Sequence, residues 1–264
     1  EGIGGDLLDL IVYTKGVSLT DALRWATVWI GDADSGQDSR PRDRHHEAAR
    51  DVDRAQRARQ RQAMAIWAEA GPITGTMAAE YLRRRRLDPD LVGDDVVRFH
   101  PRCPRGASEK LPALIWLFTH IITLKPCGVL RVYLIQHQDG AVTKIEDGAA
   151  KLSLGRTAGA VVRLSPDDEV ERGLGVAEGT ETALAILSAG WHPIWATGGT
   201  AGLTAFPVLD GIEVLTIFSD ADPPGRRAAE TCAKRWAEAG REVAIFEPHT
   251  EGTDFNDTIR EVAA

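Results

Sequence analysis

The chain has 264 residues, 43% of them hydrophobic and 27% charged, with a formal net charge of −8. That length suits one large domain or two smaller ones with a true core, and no apolar run approaches the roughly 18 residues a membrane-spanning helix needs. Three cysteines, Cys103, Cys127 and Cys232, are too few for a disulfide framework, so a reducing cytoplasm is the expected compartment. The charge is unevenly spread. Residues 164–264 hold 7 Lys/Arg against 18 Asp/Glu, a net −11, whereas residues 1–163 hold 24 against 21, a net +3. An acidic half and a mildly basic half predict two tasks, metal binding in one and polyanion contact in the other.

Residues 6–31 read as two short helices, the second opening at Ser18 with Asp21 in the capping-box position. Gly31 to Pro41 is polar and rich in Gly, Ser and Asp, which predicts a linker. From Arg42 to Glu69 the pattern is helical and carries Arg42, Arg44, Arg50, Arg54, Arg57, Arg59 and Arg61 after Arg40. That face is either a solvated surface with i,i+4 pairs such as Asp53/Arg57 or a contact for nucleic-acid backbone. A further helix is expected over Thr76 to Arg85, ending in the run Arg83 to Arg86.

Residues 96–164 are strand-rich, with candidates at 96–100, 113–118, 128–135 and 160–164. Asp139-Gly140 favours a hairpin. His100 and Cys103 lack a second pair at zinc-ligand spacing, so with Pro101 and Pro104 they read as a turn. Lys151 to Arg156 reads as a basic, glycine-containing loop. From residue 173 strands and helices alternate: strands over 174–177, 193–196, 213–218 and 242–246, helices over 182–189, 201–206 and 224–239. Such βα units build a parallel sheet.

Carboxylates end the apolar runs of this last third. Glu178 follows Gly173-Leu-Gly-Val-Ala177, Asp220 and Asp222 follow Val214-Leu-Thr-Ile-Phe218, and Asp254 and Asp257 follow Gly252-Thr253. Strand ends of an open α/β sheet converge on one edge. Paired carboxylates there repel by about 4 kcal/mol at about 4 Å in an effective dielectric of about 20, and a hard divalent cation with oxygen ligands offsets that. Gly198, Gly199 and Thr200 follow another strand, where backbone N–H groups can cradle a phosphate or simply make a tight connection.

With these elements in place, residues 173–257 resemble a Toprim domain, the metal-binding fold shared by topoisomerases, bacterial primases and some nucleases. The resemblance rests on Val176-Ala-Glu-Gly-Thr-Glu-Thr-Ala-Leu184, Ala196-Thr-Gly-Gly-Thr-Ala201, Phe218-Ser-Asp-Ala-Asp222 with Gly225-Arg-Arg-Ala-Ala229, and Thr253-Asp-Phe-Asn-Asp257. The Gly-x-x-Ala-Ala element and the Asp-Phe-Asn-Asp ending are similar to primases and primase-helicases of phages and mobile elements. Residues 4–11 look like the segment that follows a primase zinc ribbon, whose cysteines would precede Glu1, so the sequence reads as a piece of a longer protein.

The resemblance implies an α/β fold: a Toprim domain, that is a Rossmann-like parallel sheet flanked by helices, over 169–264, preceded by a mixed α+β basic subdomain over 63–168, with a helical segment and linker over 1–62. It implies Glu178 as general base and member of the metal-binding set, Asp220 and Asp222 as ligands of Mg²⁺ or Mn²⁺, and Asp254 joining them directly or through water. It also implies nucleotide or primer contacts by Lys151, Arg156 and Arg163. Many primases carry Lys where this chain has Thr253. The expected activity is primase-type nucleotidyl transfer, with single-stranded DNA, NTPs and a replicative helicase as partners and no membrane. A metal-dependent nuclease and a non-catalytic nucleic-acid-binding module are the alternatives. Topoisomerase is disfavoured, because Tyr13, Tyr81 and Tyr133 stand in no suggestive setting, and no Gly-x-x-x-x-Gly-Lys-Ser/Thr helicase run is present.

Overall fold

A computed structural model describes residues 7–30, 41–253, 255, 256 and 258. The segment read as a linker falls largely outside them, over 31–40, as do Asp254 and Asp257. The chain divides into two compact units, Glu1–Ala55 and Gln56–Ala264.

The first unit holds α1 (Leu7–Lys15) and α2 (Leu19–Ile30), with the start of α3 (Pro41–Glu69). Ser18 caps α2 as its sequence predicts. The Asp21 N–H donates to the Ser18 hydroxyl (3.2 Å), which in turn donates to the Asp21 carboxylate (2.7 Å).

The second unit is organised by one ten-stranded mixed sheet. Its strands are β1 (Val97–Arg105), β2 (Glu109–His120), β3 (Pro126–Gln136), β4 (Val142–Lys144), β5 (Lys151–Gly155), β6 (Ala160–Arg163), β7 (Gly173–Ala177), β8 (Ile194–Ala196), β9 (Val214–Phe218) and β10 (Glu242–Phe246). The order is β10-β9-β7-β8-β6-β2-β3-β4, with β1 also on β2 and β5 also on β3. β10, β9, β7 and β8 run parallel, and β6 joins them to the rest by pairing antiparallel with both β8 and β2.

The apolar run Ala113 to Phe118 is continuous because β2 is covered on both faces. Ala113 and Ile115 pack with Ala63 and Ile66 near the end of α3 and with Ala70 just after it. Leu114, Trp116 and Phe118 face the other way, packing with Tyr81 and Leu82 of α4 (Met77–Arg84). Thr76 caps α4, its hydroxyl accepting from the Ala78 N–H (3.2 Å).

The parallel part is covered likewise. Ala183 to Ile186 of α5 (Thr180–Ser188) lie on one side with Ala177 and Phe218. Leu203 of α6 (Thr200–Thr204) and Ala228, Ala229, Cys232 and Trp236 of α7 (Pro223–Glu238) pack on the other with Leu174, Val176, Leu215 and Ile217. Pro223 and Pro224 open α7 and Gly240, at φ +74°, follows its end.

Two local expectations are corrected. Lys151 to Gly155 is a strand, not a loop, paired antiparallel with β3 from Gly128↔Gly155 to Val132↔Lys151. Its alternation was the overlooked signal: Leu152 and Leu154 turn to the core while Lys151 and Ser153 stay exposed. His100 to Pro104 is not a turn but part of β1, whose register on β2 shifts between His100 and Cys103. A bulge absorbs Pro101, which has no N–H to give the ladder.

Candidate metal centre

The register of the parallel strands assembles the site. Ala177 lies opposite Phe218 on β9 and opposite Ala196 on β8. The next residues of all three strands therefore leave the sheet at one edge: Glu178 in the middle, Ser219-Asp220 to one side and Thr197 to Thr200 to the other.

Glu178 is held by the Gly-Gly turn. Its backbone carbonyl accepts from the Gly199 N–H (2.9 Å), and its carboxylate accepts from the Thr200 N–H. Two amides of the segment expected to cradle a phosphate are thus engaged by Glu178. The carboxylate oxygen Oε2 is buried without a hydrogen-bond partner. Burial, and then the charges of Asp220 and Asp222, push this carboxyl up to about 7, against the pull of the Thr200 amide.

The turn itself needs glycine. Gly198 has φ +78°, and an added Cβ would stand 2.7 Å from the Phe118 ring. Left-handed backbone costs a side-chain-bearing residue about 1–2 kcal/mol, and overpacking against a buried ring costs a further 1–3 kcal/mol or so. Gly198→Ala is expected to lose about 2–5 kcal/mol in urea unfolding. A midpoint equal to that of the wild type would contradict this account of the turn.

Asp220 accepts from the Thr182 hydroxyl at 3.4 Å. Asp222 is the N-cap of α7, its Oδ1 accepting from the Gly225 N–H (2.7 Å). A Cβ at Gly225 would lie 2.7 Å from the Asp220 carbonyl, so only glycine lets the helix close on the loop that carries both acids. The closing segment is laced to the same loop: Gly252 N–H donates to the Ala221 carbonyl (2.7 Å) and Ala221 N–H to the Thr253 carbonyl (3.2 Å).

The other expected contacts separate. Lys151 reaches Glu181, with Nζ 3.0 Å from Oε1. Arg156 is exposed and donates to the Ala158 carbonyl (3.0 Å). Arg163 turns inward, paired with Asp167 (2.6 Å), donating to the Thr119 hydroxyl and the Ile121 carbonyl (2.9 Å), and stacked over Trp195 (4.6 Å). The arginine run also resolves: Arg83 pairs with Asp90 (3.1 Å), Arg84 with Glu80 (2.6 Å), and Arg85 with Glu181 (2.9 Å). Asn256 is buried, its amide turned to donate to the Arg85 carbonyl (2.7 Å) and accept from its guanidinium (2.8 Å). Sequence reasoning missed Glu181, Arg85 and Asn256, because nothing local marks their pairing.

Among the described residues no three His, Cys, Asp or Glu side chains are gathered closely enough to hold an ion by themselves. The donors at this edge nevertheless suit a hard cation. They are all carboxylate oxygens, one is a buried orphan, and Mg²⁺ keeps several waters and asks for few protein ligands.

A family model described as the Toprim domain matches residues 173–264. This stretch is a Toprim domain. The segment before the Toprim domain, residues 57–164, matches a model described as a domain of unknown function, DUF7146. No curated protein matches the chain in sequence. Among solved structures, the zinc-binding and RNA polymerase domains of the Aquifex aeolicus primase align over 98% of this chain and 68% of their own, at 14% identity and a TM-score of 0.51. A DNA primase domain from Pseudomonas aeruginosa aligns over 76% and 74%, at 13% identity and a TM-score of 0.52. A DnaG primase catalytic domain bound to ssDNA aligns over 78% of each chain, at 16% identity and a TM-score of 0.54. The Toprim domain and the strand-rich part before it thus share the fold of primase catalytic cores. No helix among the described residues is long and apolar enough to cross a membrane.

Proposed function

We propose that this chain is the catalytic part of a DNA primase-type nucleotidyltransferase, joining NTPs into short RNA primers on single-stranded DNA. The observation that carries this reading is the meeting of Glu178, Asp220 and Asp222 at one sheet edge, with the Glu178 carboxyl raised to about 7 by burial and by its two neighbours.

Asp220 and Asp222, with Glu178 beside them, would hold Mg²⁺ or Mn²⁺, and the Toprim resemblance adds Asp254 to that set. A bound ion supplies neutralisation of phosphate charge and eases loss of the proton from the attacking hydroxyl. Glu178 takes that proton on Oε2, the oxygen without a partner; a carboxyl titrating near neutrality is suited to this. The 3′-oxygen forms a bond to the α-phosphorus, the bond to the leaving pyrophosphate breaks, and the proton rests on Glu178. The Gly-Gly turn keeps Glu178 in place, and the cap on α7 keeps Asp222 in place. Lys151 and Arg156 are the basic contacts for the nucleotide or primer, and the exposed Arg50, Arg54 and Arg57 of α3 suit template backbone. Arg163 anchors the sheet instead. A replicative helicase is the expected partner at the fork.

The test is a labelled assay with mixed-sequence single-stranded DNA and NTPs, run with Mg²⁺ and with Mn²⁺. New oligoribonucleotides that require the metal are expected. Shortened DNA without NTPs would replace this reading with a nuclease, and neither product would overturn catalysis by this chain.

A further inference from the structure

The parallel strands are open at their starts as well as at the carboxylate edge. On the face that carries α5, the register lays three rows across β7, β9 and β10: Gly173, Val214 and Glu242; Gly175, Thr216 and Ala244; Ala177, Phe218 and Phe246. α5 packs on Ala177 and Phe218 of the third row. Gly173, Gly175, Val214 and Thr216 instead floor a groove of about 510 Å³, with Trp191, Glu169 and Glu171 in its walls. The opposite face of the same strands is filled by Leu174, Val176, Leu215 and Ile217 beneath α6 and α7. Parallel sheets are ordinarily covered on both faces, so the groove is a gap in one layer.

The floor is small by composition. A glycine in a strand costs about 0.5–1 kcal/mol against alanine. Gly175 has a reason within its own fold, because a Cβ there would stand 3.2 Å from the Trp191 indole nitrogen and 3.1 Å from the Pro193 carbonyl. Gly173 has no such reason: the nearest atom to its Cβ would be the Val214 carbonyl at 4.0 Å. Strand glycines of that kind mark the close approach of another chain or ligand. Two rings beside the groove are left open, Trp191 at 45% and Phe246 at 49%, with centroids 6.4 Å apart.

Charge selects the occupant. Arg172 is paired with Glu213, and Glu169 faces His192 at 3.8 Å. Glu171 in the wall and Glu242 beside Val214 have no ion pair among the described residues. A nucleic-acid strand stacked on the rings would bring its phosphates against these carboxylates, whereas a cationic chain gains from them.

We propose that this groove docks an amphipathic helix of a partner protein, its apolar stripe laid on Gly173 and Thr216 and its Lys or Arg residues facing Glu171 and Glu242. The helix supplies the missing layer of the sheet, and a cation over the exposed Trp191 ring adds to its hold. Gly173 starts β7 and Glu178 follows its end, so about 16 Å of strand separates the groove from the carboxylates. A docked helix therefore leaves the carboxylate edge open.

The probe is a fluorescein-labelled helix of about 18 residues built from leucine and lysine, with leucine at i, i+3, i+4 and i+7. Its anisotropy is followed against the full chain, and it is expected to bind where a leucine–glutamate helix of the same pattern does not. Glu171→Lys/Glu242→Lys is expected to weaken binding at least about tenfold. Both side chains are exposed, so the fold is not at stake. Glu230→Lys/Glu238→Lys makes the same change of net charge on exposed positions of α7, across the sheet, and should stay within about twofold of the wild type at physiological salt. Gly173→Leu, which fills the floor where a side chain has room, should weaken binding about tenfold. No binding by the wild type, equal weakening by the two charge reversals, or wild-type affinity in Gly173→Leu would each overturn the proposal. Should Gly173→Leu fail to fold, the two charge reversals decide alone. Other occupants have their own signatures. Loss of oligothymidylate affinity in Gly173→Leu would make the groove a platform for single strands. A dimer in sedimentation velocity that Glu171→Lys/Glu242→Lys dissociates would give it to a second copy of this chain. Either result also overturns docking of a partner helix.

Discussion

Asp220→Asn/Asp222→Asn is expected to lower primer synthesis at least about a thousandfold, equivalent to about 4 kcal/mol of transition-state stabilisation. The two side chains keep their size and lose the charge that would hold the ion. The fold should survive, because Asn caps a helix as well as Asp does, and the bond from Gly225 N–H to residue 222 is the one that seats α7. Circular dichroism and a melting temperature within a few degrees of the wild type, beside the lost activity, would match this account. Retention of a tenth of the activity would remove these two residues from the site. Asp222→Ala is the instructive contrast. It should lose activity and also about 1 kcal/mol of stability, because the cap goes with the charge.

Glu178→Gln is expected to abolish activity and yet stabilise the metal-free protein at alkaline pH. The carboxyl titrates near 7 when folded against 4.5 ordinarily. Between those values the folded protein holds a proton that the unfolded chain releases, so stability falls as pH rises from about 4.5 and levels off above about 7. The shift is worth about 2 kcal/mol after discounting for the partly open site. In EDTA, urea unfolding at about pH 5.5 and about pH 8 should show rather more than half of that loss in the wild type and none of it in Glu178→Gln. Mg²⁺ or Mn²⁺ at the higher pH should return stability to the wild type, because the ion binds the deprotonated carboxylates of the folded state alone. Equal pH slopes in the two proteins would show that Glu178 is not the strained group.

The parallel part of the fold was legible because strands buried on both faces are unbroken apolar runs, and those runs stop at Glu178 and at Ser219-Asp220. Sequence order then brings Glu178, Asp220 and Asp222 to one edge, as the topology shows. The rest depended on pairing across long separations. Tyr81 and Glu181 are 100 residues apart, so the arginine run offered no sign that Arg85 alone would be drawn inside. Lys151 to Gly155 carried a strand alternation, but its Gly and Lys suggested a loop until β3 supplied a partner. Arg163 was expected to contact nucleotide or primer; only the fold reveals an indole beneath it and the Thr119 hydroxyl, the Ile121 carbonyl and the Asp167 carboxylate around it. The acids of the closing motif, Asp254 and Asp257, lie outside the described residues.

The narrow strand β6 has a mechanical consequence. It touches β8 through Val162 and Arg163 and β2 through Ala160 and Val161, so the sheet runs from the basic half of this unit into the acidic half through a strand four residues long. Arg163 is the rivet in that strand, fastening β6 to the end of β2 and to the Trp195 indole. Halves joined by a shared ladder do not swing like the leaves of a hinge. They travel as one rigid body.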